Sequence, residues 1–295
     1  MKYLANRNSV ELADKLVRRA LADRRWSRTS LYTGLGIVTI ISLAAILAPW
    51  IAPYGEREID LLSTFQPPSF QHFLGTDDMG RDVFSRVLYG VRLDLQVVLV
   101  ITYAPLLIGM FLGALAGYFG GWIDAIINRA VDTVMAIPFL VLVIVVVAII
   151  GPGLQGVFIG VMGVGWALYA RLARADMLAI REEQYILAAK GLGYQTWRIL
   201  FKHAVPNLLR SSLVFSVADI VLNMVLLAGV SYLGLGVQPP TAELGVIIAD
   251  GQPFLLYAWW ITTLPGLVFV LLGIGFSLIG DGLADMLGEE FKLTV

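Results

Sequence analysis

The chain has 295 residues, of which 58% are hydrophobic and 15% are charged, and its formal net charge is -1. Soluble globular proteins carry about 25% charged residues, so this composition excludes a single water-soluble core and predicts a protein that lies in lipid. No cysteine is present, which excludes disulfides, thiolate metal sites and a cysteine nucleophile.

The N-terminal region combines a basic segment with a long apolar run. The first 31 residues contain eight Lys or Arg and three acids, and the largely apolar run 31–52 follows. The apolar core of a secretory signal peptide has only about 7–15 residues. We therefore predict that 31–52 is a retained membrane helix and that residues 1–30 form a basic cytoplasmic segment.

Six segments of the chain are long and apolar enough to cross a bilayer, which requires about 20 residues in a helix. They are approximately 31–52, 94–117, 123–150, 154–172, 209–233 and 260–280. The third is interrupted by Pro138, which a membrane helix tolerates where neighbouring helices satisfy the freed carbonyl. Short connections at Gly117–Trp122 and Gly151–Gly153 arrange the second, third and fourth segments as hairpins. The sequence therefore predicts an all-α membrane protein with six transmembrane helices.

The distribution of Lys and Arg orients these helices, because cytoplasmic loops of membrane proteins carry an excess of positive residues. With the N-terminus in the cytoplasm, the cytoplasmic segments hold 17 Lys or Arg, whereas the external segments 53–93 and 234–259 hold four. This bias predicts that both termini are cytoplasmic. It also places the long loop 173–207 in the cytoplasm.

Within this loop, Lys190-Gly191-Leu192-Gly193 has a superficial likeness to a phosphate-binding loop. A P-loop requires Gly-x-x-x-x-Gly-Lys-Ser/Thr, and a dinucleotide fingerprint requires Gly-x-Gly-x-x-Gly in a strand–helix–strand unit. Here the lysine precedes the glycines, and Thr196 stands where the third glycine would be. We therefore expect no nucleotide site and no bound cofactor in this chain.

The same loop has the pattern of two short helices. Glu182–Lys190 contains good helix formers, and Gln195–Ala204 carries apolar residues among basic ones. The glycines between them allow a sharp turn, and Pro206 is expected to end the second helix before the fifth span. From the chemistry alone, the pair is either a docking surface for another protein or a helix pair that lies on the membrane surface.

The loop resembles the "EAA" loop of ABC importer permeases, in which Glu-Ala-Ala is followed by a glycine and, further on, by Ile-x-Leu-Pro. Leu187 occupies the glutamate position, and His203 occupies the isoleucine position. In that family the loop is a coupling helix that docks into a cleft of the ATPase subunit. The resemblance therefore implies an ATPase-coupling role for Leu187, Ala188, Ala189, Lys190, Gly191, Gly193, Trp197, His203 and Pro206.

Other motifs resemble those of the C-type permeases of dipeptide, oligopeptide and nickel importers. They occur in the family's order at 73–82, 232–236, 239–245 and 280–283, although Leu244 stands where the family usually has tryptophan. The resemblance implies a type I importer permease fold in a bacterial or archaeal cytoplasmic membrane.

The resemblance also implies a division of the chain and a set of partners. The first helix and external segment cover 31–93, the permease core covers 94–285, and a cytoplasmic tail covers 286–295. The expected partners are a second homologous permease, two ATPase subunits that bind ATP and Mg²⁺, an extracytoplasmic substrate-binding protein and the lipid bilayer, with no nucleic acid. Peptides are the expected cargo, and nickel chelates or opine-like solutes are alternatives.

Two other classes of protein predict different residue patterns. A secondary transporter driven by an ion gradient would place paired ionisable residues at the midplane. A membrane-embedded enzyme would need a nucleophile, a base or metal ligands clustered at one depth. The sequence shows no such cluster, and His72 and His203 are expected on opposite sides of the membrane.

The external stretch 75–82 contains three carboxylates beside a glycine. The spacing does not match a calcium loop, and Arg81 would repel a cation. Asx turns and helix caps account more simply for such aspartates. We predict an external structural motif that consists of Gly75, Thr76, Asp77, Gly80, Arg81 and Asp82.

Ionisable residues also occur within the predicted spans. Asp219 lies about ten residues into the fifth span, which at about 1.5 Å per residue is close to the midplane, and Asn223 lies one turn further on the same face. Because an intramembrane acid is costly and marks a functional site, we predict that both residues line the translocation pathway. The alternative is that a partner in the bundle neutralises Asp219. Arg129 and Asp132 are predicted to form a structural pair.

Overall fold

The computed structural model describes residues 27–293, with side chains described as far as Met286. Residues 1–26 of the predicted basic segment 1–30 therefore lie outside the described residues. In the predicted tail 286–295, the side chains after Met286 also lie outside the described part of the chain.

The described chain is almost entirely helical, with one isolated bridge between Thr76 and Asp82. The helices are α1 (Ser27–Ile46), α2 (Ala48–Ile51), α3 (Val83–Phe119), α4 (Gly121–Met135), α5 (Phe139–Ile150), α6 (Leu154–Ile180), α7 (Gln184–Gly191), α8 (Thr196–Ile199), α9 (Val205–Tyr232), α10 (Leu244–Gly251) and α11 (Trp260–Leu293). A π turn over Leu200–Ala204 joins α8 to α9.

Five helical runs are long and apolar enough to cross a membrane, and α4 with α5 makes a sixth if the bent pair is one span. The prediction of an all-α membrane protein is confirmed. The second span is longer than predicted, because the helix begins at Val83 rather than near residue 94. Arg92 and Asp94 interrupt the apolar run of the sequence but not the helix, and Asp94 is buried against the N-terminus of α10.

The third predicted span is not one helix. Helices α4 and α5 meet at an angle of 83°, and Pro138 stands in an extended conformation immediately before α5. Proline lacks the N–H that would continue the helix and its ring clashes with the preceding turn, and in this structure α4 ends at Met135 before α5 begins at Phe139. The predicted pair of Arg129 with Asp132 is also wrong for the described residues. Asp132 instead accepts a hydrogen bond from Arg171 of α6 at 2.9 Å.

The second helix of the long loop does not end at Pro206. Residues Thr196–Tyr232 form one continuous helical run. The Val205 N–H donates to the Leu200 carbonyl across the π turn, so Pro206 lies in the first turn of α9. Pro206 has no N–H to donate and directly follows the π turn, where the regular ladder of hydrogen bonds is already interrupted, and the helix continues past it.

Helices α3 and α6 pack at close range along a row of small residues. A Cβ atom added to Gly109 would lie 2.3 Å from the Trp166 carbonyl oxygen, and one added to Gly113 would lie 2.3 Å from the Ala170 carbonyl oxygen. Small residues allow membrane helices to approach closely where packing rather than hydrophobicity drives association. The α3–α6 pair is therefore the central contact of the bundle, and α9 packs against it.

Candidate functional site

The external stretch before α3 is organised by its own carboxylates. The Asp77 carboxylate accepts hydrogen bonds from the Met79 N–H at 2.9 Å and from Arg81 Nε at 2.6 Å. The Asp82 carboxylate caps α3 by accepting a bond from the Ser85 N–H at 2.7 Å. The predicted Asx turn and helix cap are thereby confirmed.

The other members of this motif fix the path of the backbone. The Thr76 hydroxyl accepts a hydrogen bond from the Gln66 N–H at 2.8 Å. Gly75 and Gly80 have φ values of 77° and 72°, a region that favours glycine. A Cβ atom on Gly80 would lie 1.8 Å from the Asp60 carbonyl oxygen. The turn therefore requires glycine both for its conformation and for its close contacts.

A buried arginine connects this motif to α10. The Arg86 side chain is 1% exposed, with Nε 3.8 Å from Asp77 Oδ2 and Nη2 3.7 Å from Asp250 Oδ2. The same oxygen of Asp250 lies 3.6 Å from Arg81 Nη2. Burial raises the pKa of Asp250, while the two arginines act in the opposite direction. Sequence reasoning missed Asp250, because only the fold brings α10 to the start of α3.

Two buried acids meet at the other end of α10. Glu243 is fully buried and accepts hydrogen bonds from the Gly245 N–H at 2.9 Å and the Val246 N–H at 2.8 Å. Asp94 of α3 accepts a bond from the Leu244 N–H at 3.3 Å. Burial raises the pKa of Glu243, whose carboxyl group interacts with that of Asp94. Sequence reasoning missed this pair, because Asp94 stood at the boundary of a predicted span.

Asp219 and Asn223 lie in the middle of α9 and join a polar network that crosses three helices. The Tyr169 hydroxyl of α6 donates to Asp219 Oδ2 at 2.7 Å. Asn223 Nδ2 donates to the same oxygen at 2.9 Å and to the Thr102 hydroxyl of α3 at 3.0 Å. Thr102, Tyr169 and Asn223 are buried, whereas Asp219 is half-buried. Tyr169 and Thr102 could not be identified from sequence spacing.

One face of α7 and α8 is buried against the membrane helices. This face and the helix ends that it contacts form an apolar cluster of Met110, Ala114, Ala173, Met177, Ile186, Ala189, Ile199, Leu200, Ala204 and Leu208. The cluster therefore joins the loop to α3, α6 and α9. Ala189 is part of this buried face, which sets it apart from the predicted coupling residues around it.

The opposite face of the loop is exposed and largely apolar. Leu192 is 73% exposed and Trp197 is 54% exposed. Among the predicted coupling residues, Leu187, Ala188, Lys190, Gly191, Gly193, Trp197 and Pro206 are exposed and His203 is partly buried. Leu192, Tyr194 and Phe201 belong to the same exposed surface, although the family pattern does not include them. We call the exposed residues between Leu187 and Phe201 the loop face; the buried residues Ala189, Ile199 and Leu200 are not part of it.

The loop face is attached to the end of α3 by ring and hydrogen-bond contacts. Lys190 Nζ lies 5.3 Å from the centre of the Tyr118 ring, and the Trp197 ring meets the Phe119 ring edge-on at 6.4 Å. Arg181 Nη1 donates to the Gly117 carbonyl at 3.0 Å. These contacts hold the loop in a fixed position relative to the longest helix of the bundle.

The fold and these sites define a polytopic helical membrane protein with a structured helical loop at one end and an ordered ion-pair cluster at the other. The family of binding-protein-dependent transport system inner membrane components matches residues 109–292, and the N-terminal transmembrane domain of oligopeptide transport permease C matches residues 28–68. The chain belongs to this family and is a C-type permease subunit of an ABC importer in the cytoplasmic membrane.

Three relatives illustrate the similarity. The chain is 39% identical over 259 residues to the dipeptide transport system permease protein DppC of Alkalihalophilus pseudofirmus, covering 88% of this chain and 85% of the relative. It is 37% identical over 259 residues to the oligopeptide transport system permease protein OppC of Bacillus subtilis, with coverage of 88% and 85%. It is 35% identical over 285 residues to the glutathione transport system permease protein GsiD of Pectobacterium atrosepticum, with coverage of 95% of each chain.

Proposed function

We propose that this chain lines the translocation pathway together with a second homologous permease and is driven by two ATPase subunits that dock on the loop over residues 182–206. The observation that carries this proposal is the two-sided loop. Its exposed face is apolar, as a docking surface requires, and its buried face shares one apolar cluster with α3, α6 and α9. A partner that presses on the loop face therefore acts on three membrane helices at once.

The proposed cycle is alternating access driven by another polypeptide. The ATPase subunits bind ATP and Mg²⁺, close on each other and displace the loop, while this chain binds no cofactor. An extracytoplasmic binding protein delivers cargo to the side of the membrane that carries Arg81, Arg86 and Asp250. The excess of Lys and Arg in the segments assigned to the cytoplasm supports this orientation, with both termini inside.

Peptides are the proposed cargo, because the relatives include permeases of dipeptide and oligopeptide systems. Nickel chelates and opine-like solutes are the alternatives within the same class. A secondary transporter is the alternative of a different class, and both the family match and the Asp219 network argue against it. Among the described residues, no Lys, Arg or His forms an ion pair with Asp219 at the midplane.

The proposal is tested by placing a charge in the loop face. Leu192→Glu changes a side chain that is 73% exposed, so the fold should persist while docking to an apolar cleft weakens. Leu256→Glu is the matched control, because Leu256 is 99% exposed at the opposite end of the bundle. We expect the ATPase subunits to co-purify with the wild type and the control but not with Leu192→Glu. Gradient-driven uptake by this chain alone, or equal co-purification of both variants, would contradict the proposal.

A further inference from the structure

The Asp219 network lies at mid-depth in each helix that contributes to it. Asp219 is 14 residues from Val205 and 13 from Tyr232, the ends of α9. Thr102 and Tyr169 lie similarly far from the ends of α3 and α6. At about 1.5 Å per residue, each of these positions is roughly 15–30 Å from a helix end. The network therefore occupies the central layer of the membrane.

Only one of the two carboxylate oxygens of Asp219 accepts hydrogen bonds from the described residues. Both hydrogen bonds that it accepts, from Tyr169 and from Asn223, end on Oδ2. Within residues 27–286, no bond or ion pair is made by Oδ1, and this oxygen does not belong to the buried polar atoms that lack a partner. Oδ1 therefore keeps some surface that the described chain does not cover. A carboxylate in this position cannot face hydrocarbon without a large free-energy cost, so it faces either an aqueous pathway or another polypeptide.

We infer that Asp219 is the point in the pathway that receives an ammonium group of the cargo, with Tyr169 and Asn223 as positioning residues. This inference rests on the proposed function. A carboxylate oxygen that has no partner within the described chain can accept a charge-assisted hydrogen bond, which an ammonium group donates.

The location of the Tyr169–Asp219 bond links this site to the loop. The loop connects the end of α6 directly to the start of α9, and the bond joins those same two helices within the membrane. Any displacement that shifts α6 against α9 therefore changes how the carboxylate is held. The affinity for the ammonium group thus depends on the state of the loop, and cargo is released when the helices move.

The test uses the complete transporter in proteoliposomes with its binding protein and a pool of dipeptides, half with free and half with N-acetylated amino groups. Uptake of each dipeptide is measured by mass spectrometry and divided by the ATP hydrolysed. We expect Asp219→Asn to lower uptake of free-amino dipeptides per ATP by about tenfold, the scale of one charge-assisted hydrogen bond, and to reduce the wild-type preference for them over the acetylated forms. Asp219→Glu should retain that preference, and Leu222→Ala, on the exposed side of α9, should behave as the wild type.

Two results would overturn the inference and leave the proposed function intact. One is an Asp219→Asn transporter with unchanged uptake per ATP and unchanged preference. The other is an Asp219→Asn chain that no longer assembles with the second permease, which would make Asp219 a contact between subunits. If instead the wild-type complex shows no ATP-dependent uptake of any dipeptide in the pool, it is the proposed peptide import that fails.

Discussion

Replacing Trp197 by alanine tests how much of the proposed ATPase docking rests on one side chain. The indole is 54% exposed and is held by an edge contact to Phe119 and by stacking on Phe201 at 5.5 Å. An aromatic side chain on a fixed surface loses little conformational entropy on binding, and for this reason such residues dominate many interfaces. Trp197 is therefore the residue of the loop face from which the largest single contribution is expected.

The magnitude follows from the area that Trp197 leaves uncovered. A tryptophan side chain buries up to about 250 Å², so about half of that area remains for a partner to cover. At about 25 cal/mol per Å² the burial contributes about 3 kcal/mol, which corresponds to a change of about 100-fold in Kd. We therefore expect Trp197→Ala to weaken binding of the ATPase pair by about two orders of magnitude.

The assay measures the Kd of the purified ATPase pair for the permease pair held in lipid nanodiscs. Trp259→Ala is the matched control, because Trp259 is 48% exposed at the opposite end of the bundle and also contacts another aromatic ring. If the Kd of the Trp197→Ala variant for the ATPase pair lies within about threefold of the Kd of the Trp259→Ala control, the reasoning that the loop face docks through its apolar surface is refuted.

Two further predictions concern packing and buried charge. Gly113→Ala should destabilise the protein by about 1–3 kcal/mol, because the added methyl group would meet the α6 backbone. Gly163→Ala is the control and should be neutral, because no atom lies within 4 Å of the added methyl group. Thermal unfolding in detergent compares the two variants, and equal stabilities would contradict the close packing of α3 against α6. Because burial raises the pKa of Glu243 above its ordinary 4.5, the folded state keeps a proton that the unfolded state releases, so stability should fall as pH rises from that value. Glu243→Gln, which removes the buried carboxyl group, should make this fall shallower, and an unchanged pH profile would contradict the raised pKa of Glu243.

The class of fold could be predicted from the sequence because apolar run length is a local property. A stretch of about 20 apolar residues becomes a membrane helix almost regardless of its neighbours. The internal geometry of the third span could not be predicted in the same way. Pro138 indicated a disturbance, but whether a proline kinks a helix or breaks it depends on which neighbours satisfy the freed carbonyl groups.

The partners of charged residues are the part that the sequence predicted least well. Asp132 was expected to pair with Arg129 on its own helix, yet Arg171 on a neighbouring helix binds it. The contact between Asp94 and the start of α10 joins residues 150 positions apart. Spacing along one helix identifies only partners three or four residues away, whereas burial in a bundle selects partners from whichever helix packs alongside.

Helix α3 explains how the two ends of the protein can act together under the proposed function. At the outer end of α3, Asp82 caps the helix and Arg86 of the first turn lies near Asp250. At the other end, the last turn holds Tyr118 and Phe119 against the loop face. The 37 residues of α3 extend over about 55 Å. Where the small residues of α3 contact α6, sliding of one helix along the other would cause steric clashes. A push on the loop therefore moves α3 and α6 as one body. At the outer end, Asp250 of α10 lies 3.6 Å from Arg81 and 3.7 Å from Arg86. These separations are longer than direct hydrogen bonds, and under the proposed function they connect the motion of α3 to α10.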